Sequence, residues 1–176
     1  MSNAFQIRPV GLPDADAIAH HRAAMFNDMG VMRPEIMDDL VERTRTFLQS
    51  AIPSGEYAGW VASPSRDPDR IVAGAGVQMR TVLPFPRLLP DGRADVASGR
   101  QAVVLNVYTE RAFRRKGLAR SLMCEVLAWA RATRLESLVL HAAPDGRQLY
   151  EALGFAATNE MRFMGDLASW SRPVTR

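Results

Sequence analysis

The feature that most limits what this chain can fold into is a junction in its second half, where an apolar run at 102–108 leads through a basic stretch into an amphipathic helix. Ala102-Val103-Val104-Leu105-Asn106-Val107-Tyr108 is apolar enough to be a buried strand. Arg114, Arg115 and Lys116 follow, and a helix starts near Gly117. Leu118, Leu122, Val126 and Trp129 recur every three or four residues, and Met123, Leu127 and Ala130 widen that stripe enough to cover a sheet. A second apolar strand at 137–141 completes a strand-helix-strand crossover.

Upstream, 5–10 reads as a short half-apolar strand, and Pro13, Asp14 and Asp16 mark a helix start whose acidic first turn suits the helix dipole. Ile18, Ala19, Met25, Phe26 and Met29 keep helical spacing up to a stop at Gly30. A second helix begins near Pro34-Glu35 and runs through Leu40, Val41, Thr44, Phe47 and Leu48 to a break at Pro53-Ser54-Gly55. Runs at 56–63 and 70–79 form an antiparallel hairpin whose second arm is thinned by Gly74 and Gly76. Residues 80–100 carry Pro84, Pro86, Pro90, Gly92 and Gly99, which predicts a long irregular loop, either functional or mobile. A short helix at 146–153, its stop at Gly154 and a last strand at 160–165 bring the expectation to about six strands and four helices. This order predicts an α+β fold in one domain spanning 1–176, with 166–176 as a C-terminal tail.

The 176 residues, 47% hydrophobic and 23% charged, suffice for one such core and are cramped for two. A net charge of +3 reflects only a small basic excess, whereas a nucleic-acid binder would show a denser patch. The single Cys124 cannot form an internal disulfide, which points to a reducing, cytoplasmic setting. Neither a secretory leader nor a membrane-length apolar stretch is readable, and Ser2-Asn3-Ala4 is set aside as a possible cloning scar.

The chemistry gathers at the junction Tyr108-Thr109-Glu110-Arg111-Ala112-Phe113-Arg114-Arg115-Lys116-Gly117-Leu118-Ala119. A helix start leaves backbone N–H groups unpaired and carries partial positive charge, so it can receive a phosphate without a dedicated side chain. Gly117 lets an anion approach, and the three cations before it add attraction. The plainer alternative is a solvated basic loop closed by a glycine turn.

Two segments resemble hallmarks of the GNAT superfamily of N-acetyltransferases. Arg114-Arg115-Lys116-Gly117-Leu118-Ala119 is similar to its Arg/Gln-x-x-Gly-x-Gly/Ala pyrophosphate loop, and Leu149-Tyr150-Glu151-Ala152-Leu153-Gly154-Phe155 to a second hallmark, in the family's order. The resemblance is strong over about 101–165 and implies a mixed, mostly antiparallel sheet of about six to seven strands flanked by about four helices. It also implies transfer of an acetyl group from acetyl-CoA to a primary amine of a small-molecule or peptide acceptor, by direct attack in a ternary complex. A non-catalytic acyl-CoA-binding or sensing module is the alternative. Neither a nucleic acid nor a membrane is an expected partner, and relatives suggest a possible homodimer.

Carried over, the resemblance assigns the CoA pyrophosphate to the amides of Arg114, Arg115, Lys116, Gly117, Leu118 and Ala119. The backbone of Val107, Tyr108 and Thr109 would bond the pantetheine arm and the acetyl carbonyl. An N–H aimed at that carbonyl would stabilise the oxyanion of the transition state, a role that typically contributes on the order of 3 kcal/mol. Tyr150 falls where the family protonates the departing thiolate. A phenol near pKa 10 donating to a thiolate whose thiol titrates near 8.5 works uphill by about 2 kcal/mol. Asn106 is read as an amide positioning a water or the acceptor, or else as a structural amide capping a strand end. Glu110, Asp28 and Glu35 qualify as general bases only by residue type, and a solvated surface carboxylate is the plainer reading of each.

Departures from the family pattern are Arg111, where many members carry proline, and Ala143, where an asparagine often contacts the pantetheine. Asp145 and Gly146 are candidates to replace part of that contact. His20 and His21 are adjacent and cannot share a helix face as a metal pair, His141 stands alone, and no metal site is readable. Cys124 reads as a small buried hydrophobe and not a nucleophile, and Trp60, Trp129 and Trp170 as packing residues.

Overall fold

The computed structural model describes residues 4–89 and 91–158, in two compact units that meet between Ala143 and Pro144. In the first unit, β1 (Phe5–Pro9) leads through a one-turn 3-10 helix into α1 (Ala15–Asp28) and α2 (Met37–Ser54). Next come β2 (Tyr57–Pro64), β3 (Ala73–Thr81), the short β4 (Phe85–Leu88) and β5 (Ala94–Ala97), β6 (Arg100–Thr109), α3 (Leu118–Ala132) and β7 (Ser137–Leu140). The main sheet has the order β1-β2-β3-β6-β7 and is antiparallel except for the parallel β6–β7 pair, as the crossover through α3 requires.

β2 and β3 lie at the centre, so both their faces are covered and β2 is buried along nearly its whole length. Tyr57 packs with Ala15, Ile18, Leu48 and Ala51 of the α1–α2 layer. Three residues on, and so on the opposite face, Trp60 meets Trp129 of α3 edge to face at 6.0 Å. Asp14, just before α1, is buried and accepts both Arg8 Nη groups at 2.7 and 2.8 Å and the Gly11 N–H at 2.8 Å. The guanidinium of Arg8 holds its carboxyl below the usual carboxylate range. α2 runs one residue past Pro53, in its last turn, and stops at Gly55, whose φ of +76° favours glycine.

Three expectations are corrected. Residues 80–100 are not an irregular loop, because β4 and β5 pair within them as a second, two-stranded sheet. The breakers are tolerated for a geometric reason. Leu89 donates to Arg93 across the turn at 2.8 Å, which places Pro86, opposite Val96, at a non-hydrogen-bonded position where no N–H is needed. Cys124 is exposed. It is two residues from both Leu122 and Val126, hence on the far side of the α3 stripe they define. Asn106 does not cap a strand end but lies inside β6, where the ladder to β3 is irregular.

In the second unit, α4 (Arg147–Glu151) follows a 3-10 turn at Pro144–Gly146. Its end is a Schellman closure: Gly154 takes φ +92° and donates to Glu151 at 3.0 Å, while Phe155 donates to Tyr150 at 3.0 Å. The strand expected at 160–165, the tail at 166–176 and Trp170 lie outside the described residues.

Candidate functional site

The site begins with a miscount in the sheet. Gly76 of β3 pairs with Leu105 and Gly74 with Tyr108, so Ala75 alone stands opposite two residues, Asn106 and Val107. This β-bulge places Asn106 at φ +55° and turns consecutive side chains to one face. Leu105 packs on the α1–α2 cluster, and Asn106 meets Arg22 of α1, whose Nη1 donates to its Oδ1 at 2.5 Å. Tyr57 lines the same small cavity as Asn106, and burial pushes its phenol up to about 12, with Asn106 pulling the other way. Gly76 makes room for that ring, since a Cβ there would sit 1.9 Å from the Tyr57 hydroxyl. Asn106, 8% exposed, is therefore held by a guanidinium beside a buried phenol.

On its other edge, β6 pairs with β7 only from Gln101↔Ser137 to Val104↔Leu140. β6 runs on for five more residues, Leu105 to Thr109, with no strand beside it on that edge among the described residues. Backbone groups of Val107, Tyr108 and Thr109 thus lie along an open sheet edge, the kind of edge that binds an extended polar chain. The Thr109 hydroxyl oxygen is buried and has no hydrogen-bond partner among the described residues.

Beyond β6 the chain forms one 3-10 turn at Arg111–Phe113 and reaches α3 through two left-handed residues, Arg115 at φ +62° and Gly117 at φ +80°. The first helical bond of α3 is Ser121 N–H to Gly117 O at 3.0 Å. Among the described residues no acceptor meets the N–H of Arg115, Lys116, Gly117, Leu118, Ala119 or Arg120. Six unpaired donors at the positive end of a 15-residue helix form a receptacle for a phosphate group. Nothing lies within 4 Å of a Cβ built on Gly117, so its role is conformational.

The three cations of the loop do different work. Arg114 folds back, its Nε donating to Thr109 O at 2.9 Å and its Nη2 paired to the Asp28 carboxylate at the end of α1. Arg111 holds the other oxygen of Asp28 at 2.6 Å. These guanidiniums, Arg111 first, keep the Asp28 carboxyl below its ordinary value. Asp28 is a structural clasp and not the solvated carboxylate expected of it, and as a paired anion it is a poor proton acceptor. Lys116 Nζ lies 5.1 Å from the Phe113 ring and 5.9 Å from that of Phe5, while Arg115 has no ion-pair partner among the described residues.

Glu110, another candidate base, is engaged by Arg70 at 3.1 Å and lies 3.5 Å from His21 Nε2. Glu35 is exposed, ahead of α2. His21 faces the sheet, its ring 5.2 Å from that of Tyr108, and burial lowers its pKa against the opposing pull of Glu110. Tyr150 lies in the second unit, its ring 6.1 Å from Phe155 in the closure of α4. Burial raises its phenol pKa. Sequence reasoning passed over Arg22, Tyr57 and the clasp role of Asp28. Their partners lie on elements far apart in the chain, and no local spacing signals them.

Comparison with known proteins follows the same outline. No curated protein matches the sequence. Among solved structures, the fold is similar to a GCN5-related N-acetyltransferase from Ralstonia eutropha, with a TM-score of 0.78 and 25% identity over 94% of this chain and 99% of that one. It is also similar to a predicted acetyltransferase with acetyl-CoA from Clostridium acetobutylicum, with a TM-score of 0.72 and 19% identity over 92% of this chain and 96% of that one. A glucosamine-6-phosphate N-acetyltransferase from Arabidopsis thaliana shares the fold at a TM-score of 0.63 and 13% identity, over 94% and 99% of the two chains. The sequence model of the acetyltransferase (GNAT) family matches residues 22–155, which takes in the bulge, the open edge, the unpaired amides and Tyr150. The chain belongs to the GNAT acetyltransferase family.

Proposed function

We propose that this protein transfers an acetyl group from acetyl-CoA to a primary amine, by direct attack in a ternary complex. The observation that carries this reading is the run of unpaired N–H groups from Arg115 to Arg120. A phosphate-sized anion fits such a run without any rearrangement of protein hydrogen bonds. On this reading the amides of Arg115, Lys116, Gly117, Leu118 and Ala119 hold the pyrophosphate, with the Arg115 and Lys116 charges beside them. Arg114, tied to Asp28, positions the loop instead of touching the ligand. The open edge at Val107, Tyr108 and Thr109 takes the pantetheine arm, and a backbone N–H there faces the acetyl oxygen. The family match runs across the division at Ala143, which supports reading 1–176 as one domain.

In the reaction the neutral amine nitrogen attacks the acetyl carbon, the carbon–sulfur bond breaks, the thiolate leaves with a proton from Tyr150, and the proton shed by the nitrogen passes to solvent water, from which the Tyr150 phenolate is reprotonated. Asn106 fixes the bulge that aims the neighbouring backbone. The raised phenol pKa of Tyr150 keeps its proton in place at neutral pH and adds to the cost of giving it up. The exposed face of α3 that carries Cys124 argues against an acyl-cysteine intermediate. That lone cysteine is also the support for a cytoplasmic setting. Among the described residues, no helix is long and apolar enough to cross a membrane.

The test is thiol release from acetyl-CoA across a panel of primary amines, run beside Tyr150→Phe. The expected result is turnover with a subset of amines, and a loss on the order of a hundredfold in kcat for the variant with acetyl-CoA affinity retained. An unchanged rate in the variant removes Tyr150 from the chemistry. Acetyl-CoA binding without thiol release for any amine would favour a sensing module.

A further inference from the structure

Arg22 is a half-buried cation with no anionic partner among the described residues. Its surroundings are neutral: the Asn106 amide oxygen at 2.5 Å, the Phe26 ring at 4.9 Å, and Tyr57, a phenol that stays protonated. The nearby carboxylates are committed elsewhere. Asp28 holds Arg111 and Arg114, Glu110 holds Arg70, and Asp14 holds Arg8. Burial already disfavours the charged form of Arg22. A guanidinium cannot escape this cost by losing its proton, and an unpaired buried charge is costly enough that folded proteins rarely keep one without a use.

Its position suggests the use. Arg22 touches Asn106, the residue next to Val107 on the open edge of β6. It stands six residues before Asp28 on α1, roughly 9 Å along the helix from the clasp that holds the phosphate loop. The charge is therefore displaced from the pyrophosphate receptacle toward the middle of the sheet, on the face covered by α1. One Nη is committed to Asn106, which leaves the rest of the planar fork for a second, two-oxygen partner.

We infer that Arg22 anchors a carboxylate carried by the amine acceptor, so that the acceptors are amino-acid-like and not simple cationic amines. This rests on the acetyl-transfer reading and narrows its acceptor. A carboxylate at this point neutralises the charge, and the Asn106 bond keeps the fork oriented before the acceptor arrives.

The experiment measures thiol release from acetyl-CoA with the protein amino acids, the α-amide of each, and the matching decarboxylated amines, with ethanolamine phosphate as a further arm. The expected result is a kcat/KM at least tenfold higher for acids than for their amides, a ratio that Arg22→Gln brings close to one and Arg22→Lys restores in part. The ratio is internal to each variant, so partial misfolding does not imitate the effect. Equal use of acids and amides, preference for the phosphate, or a ratio unchanged in Arg22→Gln overturns the proposal. Calorimetry with N-acetyl amino acids and N-acetyl amino amides, on protein saturated with CoA, gives a second reading independent of turnover. Tighter binding of the acids supports the anchor, and binding of neither overturns it. Failure of CoA itself to bind marks instead the failure of the acetyl-transfer reading.

Discussion

Asp28 shows how one side chain shapes a ligand site without reaching it. Its carboxylate joins the end of α1 to Arg111 and Arg114, so the loop that presents the unpaired amides is tied at a fixed distance from the helix layer. Asp28→Asn should raise the dissociation constant for acetyl-CoA by roughly threefold to tenfold, the range expected when partly exposed ion pairs lose their anion. Isothermal titration checks it, and an unchanged constant would show that the loop holds its shape unaided. This clasp was not legible in the sequence, because Asp28 lies 83 and 86 residues from its partners and reads alone as one acidic residue near a helix end. Arg22 and Asn106, 84 residues apart, were hidden for the same reason. Gly117 was legible because its role depends on its own backbone angle and on the helix that follows.

At the scale of elements, one of the two glycines that thin β3 acquires a cause. Gly76 is where the Tyr57 ring crosses the strand, and a methyl group there would fall 1.9 Å from the hydroxyl and 2.3 Å from Cζ. Tyr57 is 4% exposed and cannot swing aside. Gly76→Ala should therefore destabilise the protein by about 1–3 kcal/mol, the usual cost of overpacking a core, seen as a lower denaturant midpoint. Helix α3 and its flanking strands were readable because hydrophobic periodicity reports which face an element buries. The β4–β5 ribbon was not, because proline counts against a strand unless its register is known. Pro86 occupies a position where its missing N–H has no cost, and only pairing with Val96 shows this.

Over the whole molecule, Glu136 shows how distant segments are held in register. Its carboxylate accepts the N–H groups of Ser98, Gly99 and Arg100 at 2.9–3.0 Å and the Ser98 hydroxyl at 2.9 Å, joining the β5–β6 turn to the start of β7. Those bonds, the Ser98 N–H foremost, lower its pKa to about 2. A carboxyl depressed on folding contributes stability above its ordinary value of 4.5, and that contribution is lost as pH falls toward 2. Thermal melts from pH 6 to pH 2 should show a decline below about pH 4.5 that is shallower in Glu136→Gln. The extra residue in β6 has a consequence of a different kind. Between Leu105 and the phosphate loop the chain keeps count: deleting Asn106 would make the ladder to β3 regular, leave Val107 alone opposite Ala75, and remove the kink that re-aims the backbone along the open edge. Such a deletion variant should retain its sheet content by circular dichroism yet fail to retain acetyl-CoA on a titration. Length there is as much a part of the active design as any side chain, and variation among related chains should therefore accumulate as substitutions in this stretch and as insertions elsewhere.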